Sequence, residues 1–191
     1  PGYRQKGGEM LLTIRSLTKT FPGTKALDAV DFDLAAGEVH ALLGENGAGK
    51  STLIKCLTGA YRRDGGTITL DGAQIDPQST VEAQEQGIGT VYQEVNLLPN
   101  LTVAQNLLLP ELPRGRFGLV STRTTNQRAA ELLHAYGLGD IDPEQVAGEL
   151  ALAQRQRLEI VRAIENGARV LVLDEPTAAL AEVEWLFDLV R

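Results

Sequence analysis

The stretch Val39-His40-Ala41-Leu42-Leu43-Gly44-Glu45-Asn46-Gly47-Ala48-Gly49-Lys50-Ser51-Thr52 decides how the rest of this chain reads. Its first five residues are nearly all apolar, the pattern of a central strand covered on both faces, and on that reading His40 is a buried structural residue. From Gly44 to Ser51 every specified position of the pattern G-x-x-x-x-G-K-[ST] is met. Leu53, Leu57 and Ala60 then recur at helical spacing, with Gly59 placed to end the helix and Cys56 on its core side. In such a strand–loop–helix unit, glycines let backbone N–H groups wrap a phosphate, and the helix presents the positive end of its dipole. Lys50 would bridge terminal phosphates as a point charge, and Ser51 would place its hydroxyl on Mg2+. Gly44, Asn46, Gly47, Ala48, Gly49, Lys50, Ser51 and Thr52 are thus the expected nucleotide contacts. A glycine-rich turn merely joining a strand to a helix is the plain alternative, and the flanking strand and helix weigh against it.

Outward from the loop, the N-terminal side reads as strands. Leu11-Leu12-Thr13-Ile14-Arg15-Ser16-Leu17 leads to a turn at Phe21-Pro22-Gly23-Thr24, and Ala29 to Leu34 alternates apolar residues with Asp, which predicts one wet face. On the C-terminal side, Gly65-Gly66 and Asp71-Gly72 bracket the short strand Thr67–Leu70, and Ile88 to Tyr92 is a further buried strand ending at Gln93. Between about Leu101 and Arg162 the character turns helical. Thr102–Leu109, Asn126–Tyr136 and Gln154–Ile164 show the period, separated by loops such as Pro110 to Gly118. His134 lies in this insert and reads as structural. Arg169 to Leu173 returns to a continuous apolar strand. Strands, a βα unit, a helical insert and a return to the sheet make the fold class α/β with a helical subdomain. The loop by itself leaves kinases, GTPases and ATPases open.

The whole chain sets bounds on function. Its 191 residues suffice for one well-buried α/β domain, and no apolar run approaches the roughly 20 residues that cross a bilayer. A net charge of −7 supplies no basic surplus to displace phosphate counterions, so a nucleic-acid partner is not expected. Cys56, the single cysteine, allows no internal disulfide and no thiol cluster for a metal, which fits a reducing compartment. Residues 1–9 are polar and glycine-rich, lack a secretion signal and read as a flexible tail, with Met10 a plausible start.

A second chemical element closes the apolar strand Val170-Leu171-Val172-Leu173 with Asp174 and Glu175. Two carboxylates at the end of a buried strand suit a phosphate site, one to hold Mg2+ and one to orient and deprotonate an attacking water. Asp174 is the expected metal-side ligand and Glu175 the expected general base. Solvated acids at a strand end are the ordinary alternative, which loses ground once a phosphate loop precedes them.

With these motifs assembled, the chain from Leu11 onward resembles ATP-binding cassette proteins. Gln93 closes a strand where that family places its Q-loop glutamine, and Asp174-Glu175-Pro176-Thr177 has the family's Walker B wording. The phrases Phe21–Leu27 and Val91–Val103 look like the first cassette of the ribose, xylose, arabinose and galactoside importer ATPases. The resemblance implies a P-loop NTPase (RecA-like) core with a parallel sheet, an N-terminal antiparallel β subdomain and an inserted helical subdomain, C-terminally truncated. It divides the domain 10–191 into a core at 10–92 and 165–191, and a Q-loop and helical subdomain at 93–164. It implies ATP and Mg2+ as ligands, Phe21 as the ring on which adenine stacks, and Gln93 as a contact to Mg2+ or the water. It also implies ATP hydrolysis powering import of a monosaccharide, at the cytoplasmic face of a membrane. The partners would be a second cassette on the same full-length polypeptide, membrane-spanning permease subunits and, indirectly, a periplasmic or extracellular sugar-binding protein. A non-transport cassette acting in translation or DNA repair, and a regulatory ATP-binding module without hydrolysis, are the alternatives.

The departures from the family pattern matter as much. Its signature loop begins Leu-Ser-Gly-Gly-Gln, and the corresponding residues here are Leu150-Ala151-Leu152-Ala153-Gln154. Ala151 offers no hydroxyl to a γ-phosphate, and Ala153 adds a methyl where close backbone approach is wanted. Ala181 stands where the family usually has its D-loop aspartate. Both elements serve the opposite nucleotide site of a cassette dimer, so that site is expected to be slow or silent. The family's switch histidine would lie beyond Arg191, and neither His40 nor His134 is placed to replace it. Trp185, Leu186 and Leu189 form the apolar stripe of a last helix beginning near Glu182.

Overall fold

The computed structural model describes residues 10–45, 47–91, 96–109, 112–113, 121–173 and 183–190. They fall into two compact units, one drawn from Pro1–Gly89, Ala168–Val172 and Leu186–Arg191, the other from Thr90–Gly167 and Leu173–Trp185.

The first unit begins with a long hairpin of β1 (Met10–Phe21) and β2 (Thr24–Ala35), closed where Phe21 pairs with Thr24. Pro22 at the first central position and Gly23 at φ 80° at the second are what a type II turn needs. On β1, Leu12, Ile14 and Leu17 are buried, so strict alternation breaks once. The register shifts between Ile14 and Leu17, where Ser16 takes φ 50° and its N–H is held by Asp31 at 2.7 Å. The extra residue of this bulge turns Leu17 back to the core. A second hairpin, β3 (Gly65–Leu70) and β4 (Ala73–Ile75), has Asp71 and Gly72 at φ 50° and 77°, the positive pair of a type I′ turn. The sheet order is β2-β1-β3-β4, antiparallel throughout.

Helix α1 (Lys50–Leu57) covers this sheet with Leu53, Cys56 and Leu57. It stops at Thr58, and Gly59 follows in the left-handed region at φ 71°, the conformation that ends many helices. Ser79 caps α2 (Thr80–Glu85) by accepting the Glu82 N–H, and β5 (Ile88–Val91) pairs with β6 (Val170–Leu173) in a separate two-stranded sheet. Ile88, Val170 and Val172 join the same core as Leu12, Ile14 and Ile68.

The expected central strand at Val39–Leu43 differs. These residues form no strand: Val39 and Leu43 are 52% and 90% exposed, His40 is exposed, and only Leu42 packs against the core. A central strand needs a ladder along each edge, and neither sheet of the described residues includes this segment. His40 instead lies edge-on to Phe32, with centroids 4.9 Å apart, and its Nδ1 is 3.1 Å from Glu38.

The second unit is helical. Thr102 and Gln105 form a reciprocal capping box that starts α3 (Val103–Leu108), and Ser121 caps α4 (Thr122–Ala135). A 3-10 turn at Ala147–Glu149 leads into α5 (Leu152–Glu165). Leu97, Val103, Leu107, Leu133, Leu158 and Val161 make its core. Asn106 is fully buried and satisfied: its amide accepts from the Leu98 N–H at 2.7 Å and donates to the Leu98 and Thr102 carbonyls at 3.0 and 3.1 Å. That clamp sets the loop ahead of α3. In the last helix, α6 (Val183–Val190), the indole N–H of Trp185 donates to the Tyr136 carbonyl at 2.9 Å, and His134 is exposed in the last turn of α4. No helix of the described residues is long and apolar enough to cross a membrane.

Gly66, at φ 89°, faces the bulge: a Cβ there would lie 2.6 Å from the carbonyl oxygens of Arg15 and Ser16. Gly66→Ala should therefore destabilise the first unit by ~2–4 kcal/mol, combining a forbidden backbone angle with a backbone clash. Gly23→Ala, at φ 80° but in open space, should cost only about 1 kcal/mol. Urea unfolding of the two variants checks the ranking, and equal losses would contradict it.

Candidate functional site

The loop from Gly44 to Thr52 is shaped by two left-handed glycines, Gly47 and Gly49, both at φ 87°. Gly49 is also the N-cap of α1, and no side chain caps that end. A Cβ on Gly49 would sit 2.7 Å from the Ala26 carbonyl oxygen and 3.1 Å from Leu27, so β2 abuts the loop at a residue that has no side chain. Within the loop, the Ala48 N–H donates to the Glu45 carbonyl at 3.1 Å. The Lys50 ammonium folds back across it, donating to the carbonyls of Gly44 at 2.6 Å and Glu45 at 2.9 Å.

This arrangement fits a bound phosphate. The first-turn N–H groups of a helix have no intrahelical partner, and here no side chain competes for them. Ser51 is exposed on that first turn and Thr52 is half-buried. Lys50 has two carbonyl partners that it can exchange for phosphate oxygens, which repay a cation better than neutral carbonyls do.

Phe21, the expected base platform, is half-buried at the tip of the β1–β2 hairpin. Tyr61 meets its ring at 71° with centroids 5.4 Å apart, and the Lys19 ammonium lies 5.3 Å from its centroid. The structure thus brings Gly44, Gly47, Ala48, Gly49, Lys50, Ser51 and Thr52 into one loop and helix start. Asn46, Gln93, Asp174, Glu175 and Ala181 lie outside the described residues. Among the described residues no three His, Cys, Asp or Glu side chains come together as a metal cluster.

In the second unit, Ala151 is the N-cap of α5. The Gln154 side chain accepts the Ala151 N–H at 3.2 Å, but an alanine cannot return the bond to the N3 N–H. Leu152 is 46% exposed beside it. Sequence reasoning did not single out Glu159, which is 4% exposed in the middle of α5. Its Oε1 accepts the Asn96 N–H at 2.5 Å, while Arg162 donates to the Asn96 carbonyl at 3.3 Å, so both sides of one residue just after Gln93 are held. A lone acid inside the apolar run Leu158-Glu159-Ile160-Val161 was the signal.

The family model described as ABC transporter matches residues 27–178, most of the chain and the whole of the Gly44–Thr52 loop. The chain belongs to the ABC transporter family. Nucleotide binding goes with that membership, and the cassette is mixed α/β with both antiparallel and parallel pairing. Among similar proteins, the galactofuranose transporter ATP-binding protein YtfR of Escherichia coli strain K12 is 55% identical over 95% of this cassette and 36% of its own length. The ribose import ATP-binding protein RbsA 1 of Rubrobacter xylanophilus is 54% identical over the same shares. The chain therefore spans about a third of the length of the curated relatives it matches. The ADP conformation of MJ1267, an ATP-binding cassette of an ABC transporter, superposes with a TM-score of 0.78 at 27% identity, covering 95% of this chain and 77% of that one.

Burial pushes the Glu159 carboxyl above the ordinary glutamate range, with the Asn96 N–H and Arg162 pulling the other way. The folded chain then keeps this proton to higher pH than the unfolded chain, so stability falls as pH climbs from the ordinary value of 4.5 through the raised one. Glu159→Gln keeps an acceptor for Asn96 and removes the titration, so its Tm should decline less over that interval. Parallel Tm-versus-pH curves for the two proteins would contradict this.

Proposed function

We propose that this chain binds ATP at the Gly44–Thr52 loop and hydrolyses it as the first cassette of a two-cassette ATPase that powers monosaccharide import. The observation that carries the reading is the loop itself: two left-handed glycines, an uncapped helix start and a lysine parked on exchangeable carbonyls. Relatives named for ribose and galactofuranose import, about 2.8 times as long as this chain, support the sugar and the second cassette.

In this reading Lys50 leaves the Gly44 and Glu45 carbonyls for the β- and γ-phosphates, and the N–H groups of the first turn of α1 take the phosphate oxygens. Phe21 stacks on the base. Ser51 and Asp174 would hold Mg2+ with Gln93 near it, and the ion supplies charge neutralisation on the phosphates. Glu175 accepts the proton of the attacking water, and Gln93 orients that water. The second cassette supplies a signature loop to this site, while Ala151 and Ala153 give a weakened one in return. Permease subunits would carry the sugar path and a periplasmic or extracellular binding protein would deliver the sugar, which puts the ATPase at the cytoplasmic face of the membrane.

The test is ATP turnover by the complete two-cassette assembly with its membrane subunits. Glu175→Gln should lower it about 100-fold or more, the scale of a lost general base, while Ala151→Asp, in a signature already lacking its donor, should change it little. Equal loss in both variants would contradict the asymmetric site.

A further inference from the structure

The segment that follows α1 is stitched to the end of β1 by contacts that a simple connecting loop does not need. Asp64 N–H donates to the Thr18 carbonyl at 2.9 Å, and its carboxylate accepts the Thr20 N–H at 2.6 Å and the Lys19 ammonium at 3.2 Å. At the near end of the segment, the Tyr61 N–H donates to the Lys55 carbonyl at 2.8 Å, which ties the residue to the last turn of α1. The Lys55 ammonium stands 5.1 Å from the Tyr61 ring centroid. The same ring meets Phe21 edge-on at 5.4 Å.

We propose that Tyr61 is a positioning residue for the nucleotide base: it fixes the plane of the Phe21 ring relative to the helix that grips the phosphates. The proposal rests on the reading of Phe21 as the base-stacking ring. Phe21 sits at a hairpin tip, where a half-buried aromatic side chain would otherwise sample several rotamers. Lys19 over the ring and Tyr61 against it restrict that freedom from two directions, and Tyr61 is itself anchored to α1. A nucleotide's base can reach only a limited distance from its phosphates. A ring whose orientation is set from the phosphate helix is therefore ordered before the base arrives, which lowers the entropy lost on binding. The preferred ligand class is a purine nucleoside triphosphate, whose base offers the larger stacking face.

The experiment is calorimetric titration of the purified chain with ATP and, separately, with inorganic tripolyphosphate. Tyr61→Ala should weaken ATP about threefold to tenfold, the range of one aromatic pair, and leave tripolyphosphate within about twofold. Tyr61→Phe should restore wild-type ATP affinity, and Phe21→Ala combined with Tyr61→Ala should bind ATP no more weakly than Phe21→Ala alone. Tyr61→Leu carries the same expectation as Tyr61→Ala if the smaller residue unfolds the chain. Equal weakening of ATP and tripolyphosphate, or additive losses in the double variant, would overturn the proposal. If Phe21→Ala leaves ATP affinity unchanged, the stacking reading itself falls; if Phe21→Ala weakens ATP but neither Tyr61 variant does, only the role of Tyr61 falls.

Discussion

The contact between Gly49 and the Ala26 carbonyl is the constraint on which the site depends. Any Cβ at position 49 would lie 2.7 Å from that oxygen, and the residue's φ of 87° is one that side chains resist. The chain therefore turns left-handed where β2 passes, and α1 starts at Lys50 with no side chain capping its first turn. The same contact sets the β1–β2 hairpin beside the loop, with Phe21 at its tip. The proposed phosphate grip and the proposed base platform thus share one close backbone approach.

What holds that approach in place is the core beneath it. Leu12, Ile14 and Leu17 of β1 and Ile68 and Leu70 of β3 form the face on which Leu53, Cys56 and Leu57 of α1 sit. The bulge at Ser16 lets the long first strand keep Leu17 in that core, and Gly66 lets β3 come close enough to accommodate it. Cys56 contributes as a small apolar residue, and burial pushes its thiol up, away from reactivity.

Much of this was legible in the sequence because local chemistry and tertiary role coincide. Phe21-Pro22-Gly23-Thr24 and Asp71-Gly72 name their turns, Thr102–Leu109 carries the helical period, and the Gly44–Ser51 pattern carries its own mechanism. Val39–Leu43 was misread because a continuous apolar run signals burial only if neighbours exist to cover it, and periodicity says nothing about neighbours. Tyr61 and Glu159 were missed for the converse reason. One looks like an ordinary residue after a helix and the other like a stray charge, and each gains its meaning from a partner 40 or more positions away, Phe21 for the first and Asn96 for the second.

The central claim is that the Gly44–Thr52 loop is a phosphate cradle whose lysine exchanges protein carbonyls for ligand oxygens. The most direct measurement is the amide nitrogen–proton NMR spectrum of the chain titrated with ATP and Mg2+. Large shifts should concentrate at Gly47, Gly49, Lys50 and Ser51, where N–H groups gain charged acceptors, and the Lys50→Met chain should lose most of them at the same ATP concentration. Shifts scattered over the surface with none at these four residues would contradict the account.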